Sequence, residues 1–224
     1  MTKTSFEPTD IGTIYCVGRN YAAHAKELNN PIPKEPVIFL KARSTLCAMA
    51  CETSTEIELP LSLNRCDHET EIVIRLGADL THASPEQALA AISHYGMALD
   101  LTLREKQTEL KQQSYPWDLA KSFVNACPIS SLIPFDPLLP LDDIEFELTI
   151  NGETRQKGNS ANMLFGIVDL IVFISQNIPL MAGDLVLTGT PEGVGPLNDQ
   201  DQLQLSLNGQ LVAQAAIVRR TASK

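Results

Sequence analysis

The chain has 224 residues, 44% of them hydrophobic, and a formal net charge of −10 at pH 7. This length and apolar content predict one large domain with a substantial core. The acidic balance, with no basic stripe to meet phosphates, argues against nucleic acid as a partner. The longest apolar stretch, residues 163–174, is broken by Asp169 and is too short to span a bilayer, so we expect no membrane partner.

The five cysteines are irregularly spaced and include no second pair that would complete a zinc site. We interpret them as reduced thiols of a cytoplasmic protein. Residues 1–10 are polar and give no apolar signal segment. They are predicted to be a short extension of a single catalytic domain that covers residues 1–224.

The first half of the chain alternates short apolar runs with helical segments. Ser84 followed by Pro85 predicts the N-cap of one helix. Periodicity and turn residues predict the other elements: strands over residues 11–17, 37–41, 56–59, 69–76 and 95–103, and helices over residues 21–28 and 104–113.

The second half contains two Asn-Gly dipeptides flanked by alternating residues, at Asn151 and Asn208. Each predicts a tight β-hairpin. Between them, residues 162–176 are predicted to form an apolar helix with Ser160 as a candidate cap, followed by a strand over 184–187. Regular βα alternation is absent, which predicts an α+β fold with a mixed, mainly antiparallel sheet system.

Three acids are the strongest indication of chemistry. Glu69 and Glu71 are two apart in a predicted strand, so their side chains leave one face, and Asp100 interrupts an apolar run. Three carboxylates on strands suit a hard cation, Mg²⁺ or Mn²⁺, better than Zn²⁺. The alternative is that they form the polar face of two surface strands.

Other candidate residues are ambiguous on their spacing alone. His24 and Glu27 are three apart on a predicted helix, so they are either a base with its orienting carboxylate or a surface pair. Lys41 and Lys121 could be ordinary lysines with exposed ammonium groups. Arg104 and Gln107 share a helix face that could be exposed. The glycine-rich segment 188–195 is either a strand-end turn or a loop that contacts substrate.

Several blocks together resemble the fumarylacetoacetate hydrolase superfamily, from about residue 14 to residue 218. The blocks keep their order along the chain: Gly18-Arg19-Asn20-Tyr21 with His24 and Glu27, Glu69-x-Glu71, Asp100-x-Thr102-x-Arg104-x-x-Gln107, Trp117-x-x-x-Lys121-Ser122-Phe123, Asn151-Gly152-Glu153-x-Arg155-Gln156, and Gly183-Asp184 before Thr188-Gly189-Thr190-Pro191-x-Gly193-Val194-Gly195. The short, single-domain branch of acylpyruvate hydrolases and oxaloacetate decarboxylases is the most similar.

The resemblance implies a β-sandwich or β-roll, usually as a homodimer, that binds Mg²⁺ or Mn²⁺. It assigns the metal to Glu69, Glu71 and Asp100. It also implies that His24, Glu27 and Lys121 are catalytic and that Arg19, Arg104, Gln107 and Thr190 contact substrate.

Two departures from the family pattern bear on the site. Asp67 stands where the family often has a histidine, which adds negative charge near the metal and could alter metal preference. Ala42 replaces the usual proline after Lys41, which leaves Lys41 less securely placed.

The activity implied is metal-dependent cleavage of a 3-acylpyruvate to a carboxylate and pyruvate, with possible decarboxylation of oxaloacetate. The substrate would be a small 2-oxo acid that passes through an enolate. One alternative is an isomerase or decarboxylase of unsaturated dicarboxylates from aromatic catabolism, of the 2-hydroxyhepta-2,4-diene-1,7-dioate type. A non-enzymatic metal-binding protein would leave His24, Glu27 and Lys121 unexplained.

Overall fold

The structure is a computed structural model that describes residues 10–63 and 65–221. Apart from Asp10, the predicted N-terminal extension lies outside these ranges. The strands are β1 (Ile14–Gly18), β2 (Val37–Lys41), β3 (Leu46–Met49), β4 (Thr55–Pro60), β5 (Cys66–His68), β6 (Thr70–Leu76), β7 (Ile92–Leu99), β8 (Thr102–Leu103), β9 (Cys127–Ser130), β10 (Ile133–Pro134), β11 (Glu145–Ile150), β12 (Glu153–Asn159), β13 (Leu185–Leu187), β14 (Gly195–Pro196), β15 (Gln202–Leu207) and β16 (Gln210–Arg220). The helices are α1 (Ala22–Glu27), α2 (Pro85–Ala90), α3 (Arg104–Gln112), α4 (Asp118–Lys121) and α5 (Ile167–Asn177).

Within the described residues, the strands form three sheets. The largest has the order β2-β1-β13-β6-β7-β9-β3, with β10 paired to β7, and the second has the order β12-β11-β15-β16-β4. A small third sheet joins β14, β5 and β8. Most pairs are antiparallel, while β1 with β13, β3 with β9 and β4 with β16 are parallel. The predicted α+β class with a mixed, mainly antiparallel sheet system is therefore confirmed.

The main core lies between the two larger sheets. Ile72 and Met97 on the large sheet and Phe146 and Leu205 on the second sheet belong to one buried cluster. Burying these side chains against each other supplies the main drive for folding, at about 1.5–3 kcal/mol for each large aliphatic or aromatic residue. Among the described residues no helix is long and apolar enough to cross a membrane.

The short-range signals in the sequence are confirmed. Asn151 and Asn208 lie in the tight turns of the hairpins β11–β12 and β15–β16, both with positive φ. Ser84 caps α2 by accepting a hydrogen bond from the Gln87 amide, and the Gln87 side chain completes a capping box.

The predicted helix over 162–176 begins later than expected, and Ser160 is not its cap. α5 starts after Gly166, whose backbone is extended, and residues 160–162 form a separate short 3-10 helix. The backbone amides of Leu164 and Phe165 donate to the carbonyl and side-chain oxygens of Asn20, so tertiary pairing overrides the helical composition. Ser160 instead accepts a hydrogen bond from the Ile144 amide.

The strands that carry the acids also differ from the prediction. β6 begins at Thr70, after Glu69, and β7 ends at Leu99, before Asp100. β6 lies between β13 and β7 and is buried on both faces, so the interpretation as a polar surface strand is wrong. The acids instead lie where the central strands begin and end, inside the molecule.

Candidate active site

Antiparallel pairing of β6 and β7 brings the three acids together. Thr70 is opposite Leu99, and the Asp100 amide donates to the Glu69 carbonyl across the same junction at 2.8 Å. One ligand atom from each of Glu69, Glu71 and Asp100 lies within 4.8 Å of the others, and all three residues are buried. Three buried carboxylates at this spacing form an oxygen-rich site that could hold a hard divalent cation.

Three basic side chains pair with Glu69 and Asp100. The Lys121 ammonium contacts Glu69 Oε2 at 2.7 Å and Asp100 Oδ2 at 2.6 Å, and it also donates to Thr102. The Lys41 ammonium lies 2.6 Å from Asp100 Oδ1, and the Arg104 guanidinium donates to Glu69. All of these acids and both lysines are buried, so pairing is what makes their charges tolerable.

The surroundings shift the pKa values of Glu69 and Glu71 in opposite directions. Burial alone would raise the pKa of Glu69, but Lys121 and Arg104 outweigh it and hold that pKa below its usual range. The pKa of Glu71 is raised by burial and by the nearby charges of Asp100 and Glu69. Burial acts against the charge of Lys121, yet Asp100 and Glu69 raise the pKa of its ammonium, which therefore stays protonated.

His24 and Glu27 share one face of α1, as their spacing predicts. His24 is buried and lines the cavity next to the carboxylates, with Nδ1 3.5 Å from Glu27 Oε2. That distance is longer than a normal hydrogen bond, and Nδ1 has no other partner among the described residues. Burial lowers the pKa of His24, so its imidazole is neutral near pH 7 and able to accept a proton.

The turn after β1 places Arg19 at the cavity wall. Arg19 has a φ of 60°, and Asn20 anchors the turn by donating to the carbonyls of Thr188 and Phe165. Gly189 passes so close that a Cβ there would lie 2.6 Å from the Cβ of Asn20. The Gly189 amide donates to Glu71 Oε2 at 2.7 Å.

The glycine-rich segment holds the site together from a second side. Besides the Gly189 contact, the Gly193 amide donates to Glu27 at 3.1 Å, which links this segment to α1. Thr190 lines the cavity, and its hydroxyl donates to the Thr70 carbonyl while accepting from Gln156 Nε2. These contacts tie the segment to neighbouring elements, and its contact with substrate stays a prediction.

α3 contributes one face to the cavity. Arg104, Gln107 and Lys111 follow each other at positions i, i+3 and i+7 and all line it. Each guanidinium nitrogen of Arg104 donates to a protein group: Nε to Asp67, one terminal nitrogen to Glu69 and the other to Gln107. Arg104 therefore holds Asp67 and Glu69 in place in addition to lining the cavity.

The cavity brings together most of the predicted site residues. Its free interior volume is about 30 Å³, so the side chains that line it lie close together. Eight predicted residues line it: Arg19, His24, Glu69, Glu71, Arg104, Gln107, Lys121 and Thr190. Glu27 and Asp100 lie behind this wall, in contact with His24 and Lys121 respectively.

Two expectations about the edge of the site are wrong. Lys41 is not loosely placed despite the missing proline, because its ammonium is buried between Asp100 and the Leu101 carbonyl. Asp67 does not leave an extra charge near the carboxylates, because Arg65 and Arg104 both pair with it.

Sequence reasoning missed three residues of the site. Asn20 and Gln156 lie within the family blocks, but their spacing indicates no role for them. Gln156 bridges the His68 ring, the Thr70 amide and the Thr190 hydroxyl. Lys111 carried a usable signal, since it is four residues after Gln107 on the same predicted helix.

Comparisons with known proteins agree with this geometry. A family model described as fumarylacetoacetate (FAA) hydrolase C-terminal matches residues 13–218. Oxaloacetate tautomerase YcgM of Escherichia coli is 41% identical over 204 residues, covering 89% of this chain and 90% of that protein. A mitochondrial oxaloacetate decarboxylase of Dictyostelium discoideum is 40% identical over 196 residues, covering 88% of each.

Among solved structures, a fumarylpyruvate hydrolase from Pseudomonas aeruginosa in complex with Mn²⁺ and pyruvate has a TM-score of 0.88. It is 29% identical and the match covers 94% of this chain and 91% of that one. The chain belongs to the fumarylacetoacetate hydrolase family, and its carboxylate cluster has the donor set that a divalent cation requires.

Proposed function

We propose that this protein is a Mg²⁺- or Mn²⁺-dependent enzyme that acts on a short 2-oxo acid through its enol or enolate form. The observation that carries this proposal is the shared cavity of Glu69 and Glu71, a protonated Lys121 and a neutral His24. When bound by Glu69, Glu71 and Asp100, a divalent cation supplies Lewis-acid stabilisation of the negative charge that develops on the 2-oxo oxygen.

His24 and Lys121 supply the proton transfer and the charge stabilisation that the reaction also needs. His24, oriented by Glu27, takes a proton: from C3 of the 2-oxo acid in tautomerisation, or from a water that attacks the acyl carbonyl in hydrolysis. Lys121 stabilises the oxyanion of that attack by its fixed positive charge. The C–C bond then breaks to give a carboxylate and the enolate of pyruvate, which takes up a proton.

The names of the relatives point to oxaloacetate as the substrate. His24 as a base and Lys121 as a fixed cation are the groups that hydrolysis of a 3-acylpyruvate needs. Loss of CO₂ from oxaloacetate yields the same enolate without attack by water. The three reactions therefore share the acidic half of the site and differ in their need for a base. We also propose that the chain acts as one catalytic domain in a cytoplasmic homodimer, as family members usually are dimeric.

The test is turnover by Mg²⁺-loaded protein of oxaloacetate and acetylpyruvate, with EDTA controls. Loss of the enol absorbance reports tautomerisation, and pyruvate release reports cleavage or decarboxylation. Metal-dependent turnover of either substrate supports the proposal, and the ratio of rates identifies the main reaction. No turnover of either substrate by folded, metal-loaded protein would contradict it and favour an isomerase of unsaturated dicarboxylates.

A further inference from the structure

One wall of the cavity carries positive charge without a matching acid. Glu69 is paired with Lys121 and Arg104, and Glu71 accepts from the Gly189 amide. Within residues 10–63 and 65–221, by contrast, neither Arg19 nor Lys111 forms an ion pair. In a chain with a net charge of −10, two unpaired cations on a cavity wall indicate an anionic ligand.

Lys111 is held at a defined place on this wall. Its ammonium lies over the Trp117 ring, 4.9 Å from the centroid, and Trp117 itself lines the cavity and packs against Phe39. A cation over an indole face is stabilised but keeps its N–H donors for other partners. The position is therefore suited to receive an oxyanion from the cavity.

The direction of α3 sets the distance from the carboxylates. Lys111 lies seven residues after Arg104, roughly 10 Å along the helix axis at 1.5 Å per residue. Helical side chains lean toward the helix N-terminus, so the long lysine chain reaches back toward Arg104 and the acids. A substrate whose 2-oxo acid head lies at the carboxylates would have its far end near Lys111.

We propose that Lys111 binds the distal carboxylate of the substrate and makes the enzyme prefer 2-oxo acids with a second carboxylate over those that end in an uncharged acyl group. This assignment rests on the proposed function, since it presumes that the 2-oxo acid head lies at the acids. It names a binding residue and assigns no proton transfer to Lys111. Because the lysine side chain is flexible, its ammonium can reach the distal carboxylate of substrates with different chain lengths.

The test compares Lys111→Met, Lys111→Arg and the control Lys106→Met, a half-buried lysine of the same helix that pairs with Glu109 and lies outside the cavity. For Lys111→Met we expect kcat/KM on oxaloacetate to fall at least about tenfold, mainly through KM, as for loss of a charged hydrogen bond. We expect a change of less than about threefold on acetylpyruvate, partial rescue by arginine, and no change in the control. An equal loss on both substrates, or no loss on either, would overturn the assignment.

A binding measurement separates this proposal from the proposed function. If the wild type turns over neither substrate, the proposed function fails, and calorimetry on Mg²⁺-loaded protein still tests Lys111. Oxaloacetate and 2-oxobutyrate have the same carbon chain, but only the first ends in a carboxylate. The proposal predicts that Lys111→Met weakens the binding of oxaloacetate at least about tenfold and leaves the affinity for 2-oxobutyrate unchanged. Equal effects on the two ligands, or none, would contradict it.

Discussion

Lys41 shows how a single buried charge can stabilise the site. Its ammonium contacts Asp100 Oδ1 inside the molecule, where an unpaired carboxylate is costly. We predict that Lys41→Met lowers the free energy of unfolding of the metal-free protein by about 1.5–3 kcal/mol, because Asp100 loses one charged hydrogen bond but keeps its contact with Lys121. Urea unfolding checks this. The control, Lys26→Met, changes an exposed lysine and should shift stability by less than about 0.5 kcal/mol.

His24 makes a prediction about which reactions need a base. Replacing His24 with alanine should reduce hydrolysis and tautomerisation by about 10²–10⁴-fold, the usual contribution of a general base. Decarboxylation of oxaloacetate should fall much less, because it starts without proton removal. Assays of the three reactions on one preparation check this, with His94→Ala, outside the cavity, as the control. Equal loss of all three activities would contradict the division of roles.

The pH dependence of that base follows from its burial. Burial lowers the pKa of His24, so the neutral, proton-accepting form persists to lower pH than for an exposed histidine with its usual pKa of about 6.5. The hydrolysis rate should therefore fall toward low pH with a midpoint below pH 6.5. A pH–kcat/KM profile measures this, and a midpoint above pH 6.5 would contradict it.

Lys111 predicts a separate pH effect on substrate preference. Burial, Arg19, Arg104 and Lys121 lower the pKa of Lys111 to about 8, against an opposing effect of Glu69. A lowered lysine pKa means that the charge is lost as pH rises through that value. KM for oxaloacetate should therefore increase above pH 8, while KM for acetylpyruvate should change less. A parallel rise for both substrates would contradict the role of Lys111.

At the scale of elements, the turn after β13 couples the fold to the acids. Gly189 has a φ of 95° and no room for a Cβ next to Asn20, whereas Gly209 has a φ of 73° with open space around it. Gly189→Ala should cost about 1–3 kcal/mol more than Gly209→Ala, because overpacking adds to the backbone strain that both share. Thermal or urea unfolding of both variants tests this. Equal losses would show that backbone conformation alone matters.

The sequence predicts elements well where the signal is local. The Asn-Gly hairpins, the capped helix α2 and the helix face of Arg104 and Gln107 depend on residues within a few positions of one another. The start of α5 could not be predicted, because residues 164–165 pair with Asn20, far away in the chain. The boundaries of β6 and β7 follow in the same way from sheet pairing rather than from composition.

At the scale of the whole molecule, the fold is what gathers the site. The three acids, Lys41 and Lys121 come from four separate segments and meet only because β6 and β7 pair at the centre of the large sheet. The sequence pattern identified the three acids as candidates, from the two-residue spacing of Glu69 and Glu71 and from the apolar run around Asp100. It could not show that Lys41 and Arg104 neutralise them, since ion pairs between distant segments leave no spacing to detect.

The measurement that tests the account most directly is Mn²⁺ binding and oxaloacetate turnover by wild type, Asp100→Asn and a control, Asp142→Ala, with circular dichroism to verify folding. Asp142 is exposed and lies outside the cavity. The account predicts that Asp100→Asn remains folded but loses both metal binding and turnover, while Asp142→Ala retains both. A folded Asp100→Asn variant that binds Mn²⁺ as tightly as wild type would contradict the assignment of the metal to Glu69, Glu71 and Asp100.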